Sequence, residues 1–382
     1  SLVWFEEIGQ YVHQDTIQFV FNMMTRSRRI TYDNLLERDP EFVRRVDEWL
    51  LESEIARGRV PSGTSARPPM FLPFKLRELE LSNRIVVSAM DMYSAVDGFP
   101  GEFHLVHLGA RALGGAGLVM TEMVCTSRDG RITPGCTGIW TDEQEEGWKR
   151  IVDFGHTTQA RMGIQIGHAG RKASTRVMWE GIDQPLESGN WPIMGPSPIP
   201  YHAVSQVPRE MTRADMDEVK AEFIQATARA ARAGFDLLEL HCAHGYLLSS
   251  FITPVSNQRT DEYGGSLENR LRFPLEVFDA VRAEWPAERP MSVRISASDW
   301  VPDGLTEEES VAVARAFGEH GADIIDVSTG QTTTDAVPEY GRSYQTPFSD
   351  RIRNRVGVAT MAVGAISSWD DVNTIIAAGR AD

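Results

Sequence analysis

Residues 235–246 have the sequence Phe-Asp-Leu-Leu-Glu-Leu-His-Cys-Ala-His-Gly-Tyr, and this stretch gives the clearest indication of the fold. Its first half is a short apolar run with the length of one β-strand, and its second half is a turn that holds two histidines and a tyrosine. Runs that are almost continuously apolar are typical of strands buried on both faces of a parallel sheet. We therefore expect a buried strand whose carboxyl end carries polar side chains.

Six further apolar runs alternate with longer segments of helical period: residues 84–88, 117–122, 163–167, 291–296, 323–328 and 358–364. This alternation predicts βα units and a parallel sheet. No Gly-x-Gly-x-x-Gly follows the first run, which speaks against a dinucleotide-binding Rossmann sheet. Seven units predict an α/β fold, a (β/α)8 TIM barrel truncated before the eighth βα unit, with its chemistry at the carboxyl ends of the strands.

Helix boundaries are marked between these runs. Capping-box spacing is found at four pairs: Thr141 with Gln144, Thr212 with Asp215, Thr306 with Glu309, and Ser368 with Asp371. Helix stops are predicted at Gly234, Gly321 and Gly379. An apolar face that would cover the barrel is predicted after Thr212 from Met216, Val219, Phe223, Ala226 and Ala230.

Composition narrows the class of protein. The formal net charge of -16 argues against nucleic acid or an anionic membrane surface as the main partner, because both require a basic footprint. Cys125, Cys136 and Cys242 are too widely spaced for a CxxC metal site and odd in number, so we expect reduced thiols and a cytoplasmic protein. The sequence has no signal peptide and no apolar run long enough to span a bilayer.

The chain divides into three parts. Residues 1–57 have helical patterns but few apolar residues, and we interpret them as the tail of another domain. Residues 58–69 are rich in Gly, Pro and Ser, which is typical of a linker. Residues 70–382 hold the predicted barrel. Because the sequence lacks an initial Met and stops abruptly at Asp382, we expect a fragment cut at both ends.

Polar residues follow several strands. Gln165 and Arg294 would leave an amide and a guanidinium group unpaired in an otherwise aliphatic barrel, unless something polar such as a heteroaromatic cofactor filled its mouth. His241 and His244 can both donate hydrogen bonds to one substrate oxygen, and Tyr246 can deliver a proton. Two other interpretations of the histidines stay open. They could ligate zinc, although no third ligand is evident, or be structural.

Four stretches, residues 81–90, 163–172, 241–246 and 257–270, resemble in order the old yellow enzyme family of FMN-dependent ene reductases, especially its bacterial branch. The resemblance implies hydride transfer from NADH or NADPH through FMN. The residues implied to line FMN are Ser88, Ala89, Met90, Asp91, Met123, Gln165, Arg294 and Gly364. His241 and His244 would hold the substrate carbonyl oxygen, Tyr246 would donate the proton, and Tyr93 would add a hydrogen bond. Arg171 and Lys172 would either steer an anionic substrate or form a solvated basic loop.

The sequence departs from the family pattern at three places. Asp91 stands where the family has Cys or Thr, and a carboxylate there would disfavour an anionic reduced flavin unless it were protonated. Met123 replaces a smaller residue and would crowd the cofactor. The arginine that holds the FMN phosphate in the family belongs to the eighth βα unit.

Residues 1–6 and 19–30 resemble the end of an FAD-dependent aromatic monooxygenase, as in bifunctional anthraniloyl-CoA and salicylyl-CoA monooxygenase/reductases. This implies FAD in a preceding domain, an aromatic acyl-CoA substrate and a homo-oligomer. Three alternatives remain: a free-standing ene reductase of small enones, a dienoyl-CoA reductase with a further iron-sulfur segment, and a catalytically idle scaffold.

Overall fold

The computed structural model describes residues 32–382, most of which form a curled parallel sheet surrounded by helices. In chain order the strands are β1 (Phe74–Leu76), β2 (Leu79–Leu81), β3 (Val86–Val87), β4 (Leu118–Cys125), β5 (Arg161–Gly167), β6 (Met194–Gly195), β7 (Arg209–Glu210), β8 (Leu237–Cys242), β9 (Met291–Ser296), β10 (Ile324–Ser328) and β11 (Ala359–Ala362). The helices are α1 (Tyr32–Arg38), α2 (Pro40–Ala56), α3 (Glu102–Leu113), α4 (Asp142–Gly155), α5 (Arg213–Ala233), α6 (Leu247–Ile252), α7 (Leu267–Glu284), α8 (Glu307–Glu319), α9 (Thr346–Val356) and α10 (Trp369–Ala377).

The main sheet has seven strands in the order β11-β10-β9-β8-β5-β4-β3, and every neighbouring pair is parallel. Each strand lies within or overlaps one of the seven predicted apolar runs, and β9 has the predicted bounds. All residues of β4, β8 and β9 are buried, as expected for strands covered on both faces. The predicted TIM-barrel-like fold is confirmed.

The helix signals in the sequence are also confirmed. Both reciprocal hydrogen bonds of the capping box are present at the N-termini of α4, α5 and α8. Ser368 caps α10 by accepting a hydrogen bond from the backbone N–H of Asp371. Gly234 ends α5 in the left-handed conformation, and the predicted apolar face of α5 is buried. Such caps satisfy backbone groups that would otherwise have no partner at the helix ends.

The sheet curls until its two edges face each other. Residues of both edge strands, β3 and β11, line one cavity of about 540 Å³. The antiparallel β1–β2 hairpin packs Phe74 and Leu81 against the apolar starts of β4, β8 and β10, and so closes the N-terminal end of the barrel. The opposite end carries the polar strand ends.

Helix α2 contacts the barrel. Leu50 and Val60 form an apolar cluster with Leu72 and Ile376. Glu54 is fully buried, and its Oε2 accepts a hydrogen bond from Arg84 at 2.8 Å. The division into a tail, a linker and a barrel stays a prediction, and the monooxygenase-like residues 1–6 and 19–30 lie outside the described residues. No helix among residues 32–382 is long and apolar enough to cross a membrane.

Candidate active site

The histidine segment lies at the carboxyl end of β8. His241 is in the strand, whereas His244 and Gly245 have left-handed backbone conformations with φ of 63° and 71°. A Cβ at Gly245 would lie 2.7 Å from the carbonyl oxygen of Gln331, so this tight turn requires glycine. The ring centroid of His241 lies 5.1 Å from that of His244 and 5.1 Å from that of Tyr246. The structure thus brings the three predicted side chains together.

Both imidazoles are held neutral. Burial lowers the pKa of His241 and of His244 well below the ordinary value, and the charge of Arg294 lowers both further. A neutral imidazole has one N–H donor and one acceptor nitrogen. Burial, followed by the charge of Asp91, raises the pKa of the Tyr246 phenol well above its ordinary value. The cluster can therefore donate hydrogen bonds to an oxygen without carrying charge itself.

Two serines that the sequence reasoning missed hold His244. Its Nε2 lies 2.7 Å from Ser328 Oγ, and its backbone N–H donates to Ser296 Oγ at 2.9 Å. Ser296 and Ser328 end β9 and β10, so the rule that groups at strand ends share one rim would have found them. His241 Nδ1 is buried and has no hydrogen-bond partner among residues 32–382.

Arg171 and Lys172 are buried, with 2% and 5% of their surface exposed, so the solvated-loop interpretation is wrong. Lys172 Nζ donates to the carbonyl oxygens of His244 at 3.2 Å and Gln331 at 3.3 Å. It also lies 5.2 Å from the centroid of the Tyr246 ring. Burial lowers the pKa of Lys172 to about 8 and that of Arg171 to about 10.

Gln165 has a protein partner that the sequence reasoning did not identify. Its Nε2 donates to Glu239 Oε1 at 2.8 Å, and Ser292 Oγ donates to Glu239 Oε2 at 2.7 Å. Glu239 is fully buried on β8, and burial raises its pKa to about 7. The expectation that the Gln165 amide has no protein partner is therefore wrong.

Arg294 is also paired. Its Nε lies 3.2 Å from Asp326 Oδ2, and its Nη1 donates to the carbonyl oxygen of Ala89 at 3.2 Å. The geometry at Nε does not satisfy a hydrogen bond, so this buried atom has no such partner within residues 32–382. The expectation of an unpaired guanidinium is wrong, because the carboxylate of Asp326 balances its charge. Of the five guanidinium N–H groups, only the one on Nη1 that bonds to Ala89 has a hydrogen-bond partner among residues 32–382, so the others remain available to a ligand.

Asp91 is half-buried beside a second carboxylate. Its Oδ1 accepts a hydrogen bond from the backbone N–H of Met123 at 3.3 Å. Burial, and then the charge of Glu122, raise the pKa of Asp91 to about 7. Glu122 Oε2 accepts a hydrogen bond from the backbone N–H of Met92 at 2.9 Å, and Glu122 Oε1 lies 2.8 Å from His104 Nε2. Glu122 is therefore fixed by two partners, whereas Asp91 can exchange a proton near neutral pH.

Tyr93 packs against the apolar cluster that contains Met123. Tyr93 is half-buried with φ of 48°, and its ring packs edge-on against Trp179 at 6.3 Å between centroids. Met123 is 1% exposed and belongs to an apolar cluster with Tyr246. A Cβ at Gly167 would lie 2.6 Å from Met123 Sδ, so the thioether fills the space that this glycine leaves. The crowding of a cofactor by Met123 stays a prediction.

The cavity between the sheet edges contains part of the predicted cofactor set. Its lining includes Ser88, Ala89, Met90, Arg294 and Gly364, but not Asp91, Met123, Gln165 or the histidine cluster. Gly364 has φ of 102°, and a Cβ there would lie 2.4 Å from Gln345 Nε2. Arg294 lies between this cavity and the histidine cluster, because it lines the cavity and its charge lowers the pKa of both His241 and His244.

The zinc interpretation has no support from geometry in the described part of the chain. No group of three or more His, Cys, Asp or Glu side chains there is arranged to hold a metal ion.

Comparison with known proteins places the chain in a family. Residues 69–382 match the model of the NADH:flavin oxidoreductase / NADH oxidase family. An NADH:flavin oxidoreductase of Gibberella zeae is 40% identical over 340 residues, which cover 84% of this chain and 82% of that protein. An NADPH dehydrogenase of Geobacillus thermodenitrificans is 42% identical over 315 residues, which cover 82% of this chain and 88% of that protein.

Solved structures agree with this placement. Morphinone reductase matches with a TM-score of 0.68 at 28% identity, over 84% of this chain and 86% of that chain. A 2-naphthoyl-CoA reductase in complex with 2-naphthoyl-CoA matches with a TM-score of 0.73 at 24% identity, over 82% of this chain. The match covers 49% of that longer protein, about half of its length, and concerns the fold alone. This chain therefore belongs to the NADH:flavin oxidoreductase / NADH oxidase family, the old yellow enzyme family that its sequence motifs resemble.

Proposed function

We propose that this chain uses NADH or NADPH and FMN to reduce an activated C=C bond or a dearomatised ring. The observation that carries the proposal is the neutral cluster of His241, His244 and Tyr246, which lies near the charge of Arg294. Neutral imidazole N–H groups suit a carbonyl or enolate oxygen, because they stabilise its developing negative charge by hydrogen bonding and keep their own protons.

The residues present fit a flavin. The cavity between β3 and β11 is lined by Ser88, Ala89 and Gly364 as well as by Phe74 and Leu81 of the β1–β2 hairpin. Arg294 lines it with a buried Nε that has no hydrogen-bond partner among the described residues. The lack of a Cβ at Gly364, which also lines it, leaves room for the side chain of Gln345. A planar polar ring would pair the free N–H of Arg294, and a guanidinium near its pyrimidine edge would stabilise negative charge there.

In this proposal FMN is held by residues that line the cavity and by residues outside its lining. The first group is Ser88, Ala89, Met90, Arg294 and Gly364, and the second is Asp91, Met123 and Gln165. When bound, FMN supplies hydride that originates from the reduced nicotinamide. A neutral Asp91 removes the like-charge penalty that a carboxylate would impose, and its pKa of about 7 keeps about half of it neutral at pH 7.

The remaining residues act on the substrate. His241 and His244 hold the carbonyl oxygen and polarise the conjugated C=C bond, and Ser328 and Ser296 orient His244 for this task. Tyr246 gives its phenolic proton to the carbon next to the carbonyl group, and Tyr93 donates a further hydrogen bond to the substrate. The raised pKa of Tyr246 keeps the phenol protonated until that step.

The finer proposal concerns the substrate. The resemblance of residues 1–6 and 19–30 to an FAD monooxygenase supports an aromatic acyl-CoA substrate within a bifunctional, homo-oligomeric protein. A free-standing reductase of enones is an equally good interpretation, because the match covers 88% of an NADPH dehydrogenase and 86% of morphinone reductase.

Two assays test the proposal. The purified chain, supplied with FMN and NAD(P)H, is expected to reduce cyclohexenone, and a flavin-loaded chain without this activity on enones or aromatic acyl-CoA thioesters would support the idle scaffold instead. Replacing His241 and His244 by Ala is expected to abolish the charge-transfer absorbance of bound phenolates while FMN stays bound. Undiminished phenolate absorbance in the double variant would exclude the two histidines as the oxygen-binding pair.

A further inference from the structure

Two adjacent cationic side chains are buried beside the histidine cluster. Arg171 and Lys172 belong to the 3-10 turn Gly170–Lys172, which follows β5. Among the described residues, no Asp or Glu oxygen lies within the 4.0 Å ion-pair distance of either cationic group. Buried charges are normally paired with an opposite charge, because removing an ion from water is costly. The turn therefore holds two buried cationic groups that no carboxylate contacts, although Asp183 and Asp91 act on Lys172, and Asp299 acts on Arg171, from farther away.

Arg171 has a structural explanation. Its Nη atoms donate to the carbonyl oxygens of Ile199, Pro200 and Thr332, and so join the loop after β5 to the loop after β10. Its guanidinium also lies 5.6 Å from the centroid of the Tyr201 ring. Both of its Nη atoms are therefore used by the backbone of these loops, and only its buried Nε has no hydrogen-bond partner among the described residues.

Lys172 is different. Its ammonium has three N–H donors, of which two are used by the carbonyl oxygens of His244 and Gln331. The Tyr201 and Tyr246 ring centroids lie 4.1 Å and 5.2 Å from Nζ. Aromatic faces and carbonyl dipoles stabilise a cation only partly. Asp183 and Asp91 act on this ammonium from beyond ion-pair distance, so one N–H donor and the position of a contacting anion are left over beside Tyr246.

We propose that Lys172 is a specificity-determining residue that selects substrates with an anionic oxygen, such as a phenolate or an enolate. This inference rests on the proposed function and adds a charged donor to the oxygen that the histidine pair would hold. An oxyanion there would give the buried ammonium a contacting negative charge and would accept its third N–H. Charge-assisted hydrogen bonds of this kind are about twice as strong as neutral ones.

The Lys172→Met variant removes the charge with little change in side-chain length, and Lys172→Arg keeps it. Lys149→Met is the control, because Lys149 pairs only with the exposed Asp153 on α4. In each FMN-loaded protein, dissociation constants are measured for para-nitrophenolate, at a pH where this probe is ionised, and for the neutral para-nitroanisole. Thermal melting of each variant confirms folding, and Lys172→Gln replaces Lys172→Met if that variant is unfolded.

The ratio of the two affinities is the readout. Lys172→Met is expected to lower the preference for para-nitrophenolate roughly 10- to 100-fold, the strength of one hydrogen bond to a charged group. Lys172→Arg and Lys149→Met are expected to keep the preference within about threefold. An unchanged ratio in Lys172→Met, or an equal loss of both probes, overturns the inference. Absence of FMN binding or enone reduction in the wild-type chain would count against the proposed function instead.

Discussion

Replacing Asp91 by Asn tests the electrostatics of the site without any cofactor. Burial raises the pKa of Asp91 from 3.8 to about 7, so the folded protein penalises its ionised form. A pKa shift of this size corresponds to a loss of folding free energy, when Asp91 is ionised, of at most about 4 kcal/mol. Because Asp91 is only half-buried, solvent reduces this penalty, and we expect about 2 kcal/mol. Asn can still accept the hydrogen bond from the Met123 N–H that now goes to Oδ1.

The sign of the pH dependence follows from the raised pKa. The neutral acid imposes no penalty below about pH 4, and the penalty develops as pH rises to the folded-state pKa of about 7. Urea unfolding of the wild type and of Asp91→Asn is measured at about pH 5 and about pH 8.5. The gain in free energy of unfolding from Asp91→Asn is expected to grow by about 1 kcal/mol between these conditions, because part of the penalty has already developed at about pH 5. Asp303→Asn, on an exposed turn, controls for the loss of one carboxylate. A difference in free energy of unfolding between Asp91→Asn and the wild type that is the same at both pH values would refute the reasoning.

Two further variants test contacts in the fold and the site. Arg84→Met removes the buried partner of Glu54 Oε2 but leaves Arg57 3.0 Å from Oε1, so it is expected to lower the free energy of unfolding by about 1.5 to 3 kcal/mol in urea titration; a loss below about 1 kcal/mol would mean that the pair is not buried as described. Ser328→Ala removes the partner of His244 Nε2 at 2.7 Å and is expected to weaken phenolate binding roughly 5- to 10-fold at constant FMN occupancy. Phenolate affinity equal to that of the wild type would show that Ser328 does not orient the imidazole.

The sequence was sufficient to predict the strands, because buried parallel strands are recognisable as almost continuous apolar runs. The seven strands, the caps of α4, α5 and α8 and the gathering of His241, His244 and Tyr246 were all expected from it. Each depends on a pattern confined to one segment, or on the rule that strand ends share a rim.

The pairing of side chains across strands was not predictable in this way. Gln165 with Glu239 and Arg294 with Asp326 each join neighbouring strands of the sheet, so these pairs depend on strand register. His244, in the turn after β8, reaches Ser328 on β10 across the end of β9. Register is set by the three-dimensional packing of the whole sheet. The burial of Lys172 likewise depends on loops that lie far apart in the sequence.

Flavin binding by the barrel is the measurement that tests the central claim most directly. The chain is purified, saturated with FMN and passed over a desalting column, after which protein and flavin absorbance are measured in the same fractions. The account predicts yellow protein with about one FMN per chain and a Kd in the micromolar range or below, typical of a small-molecule site of this size. It also predicts weaker retention in Arg294→Met, because the one positively charged side chain assigned to FMN is then lost. A colourless barrel under saturating FMN would contradict the account.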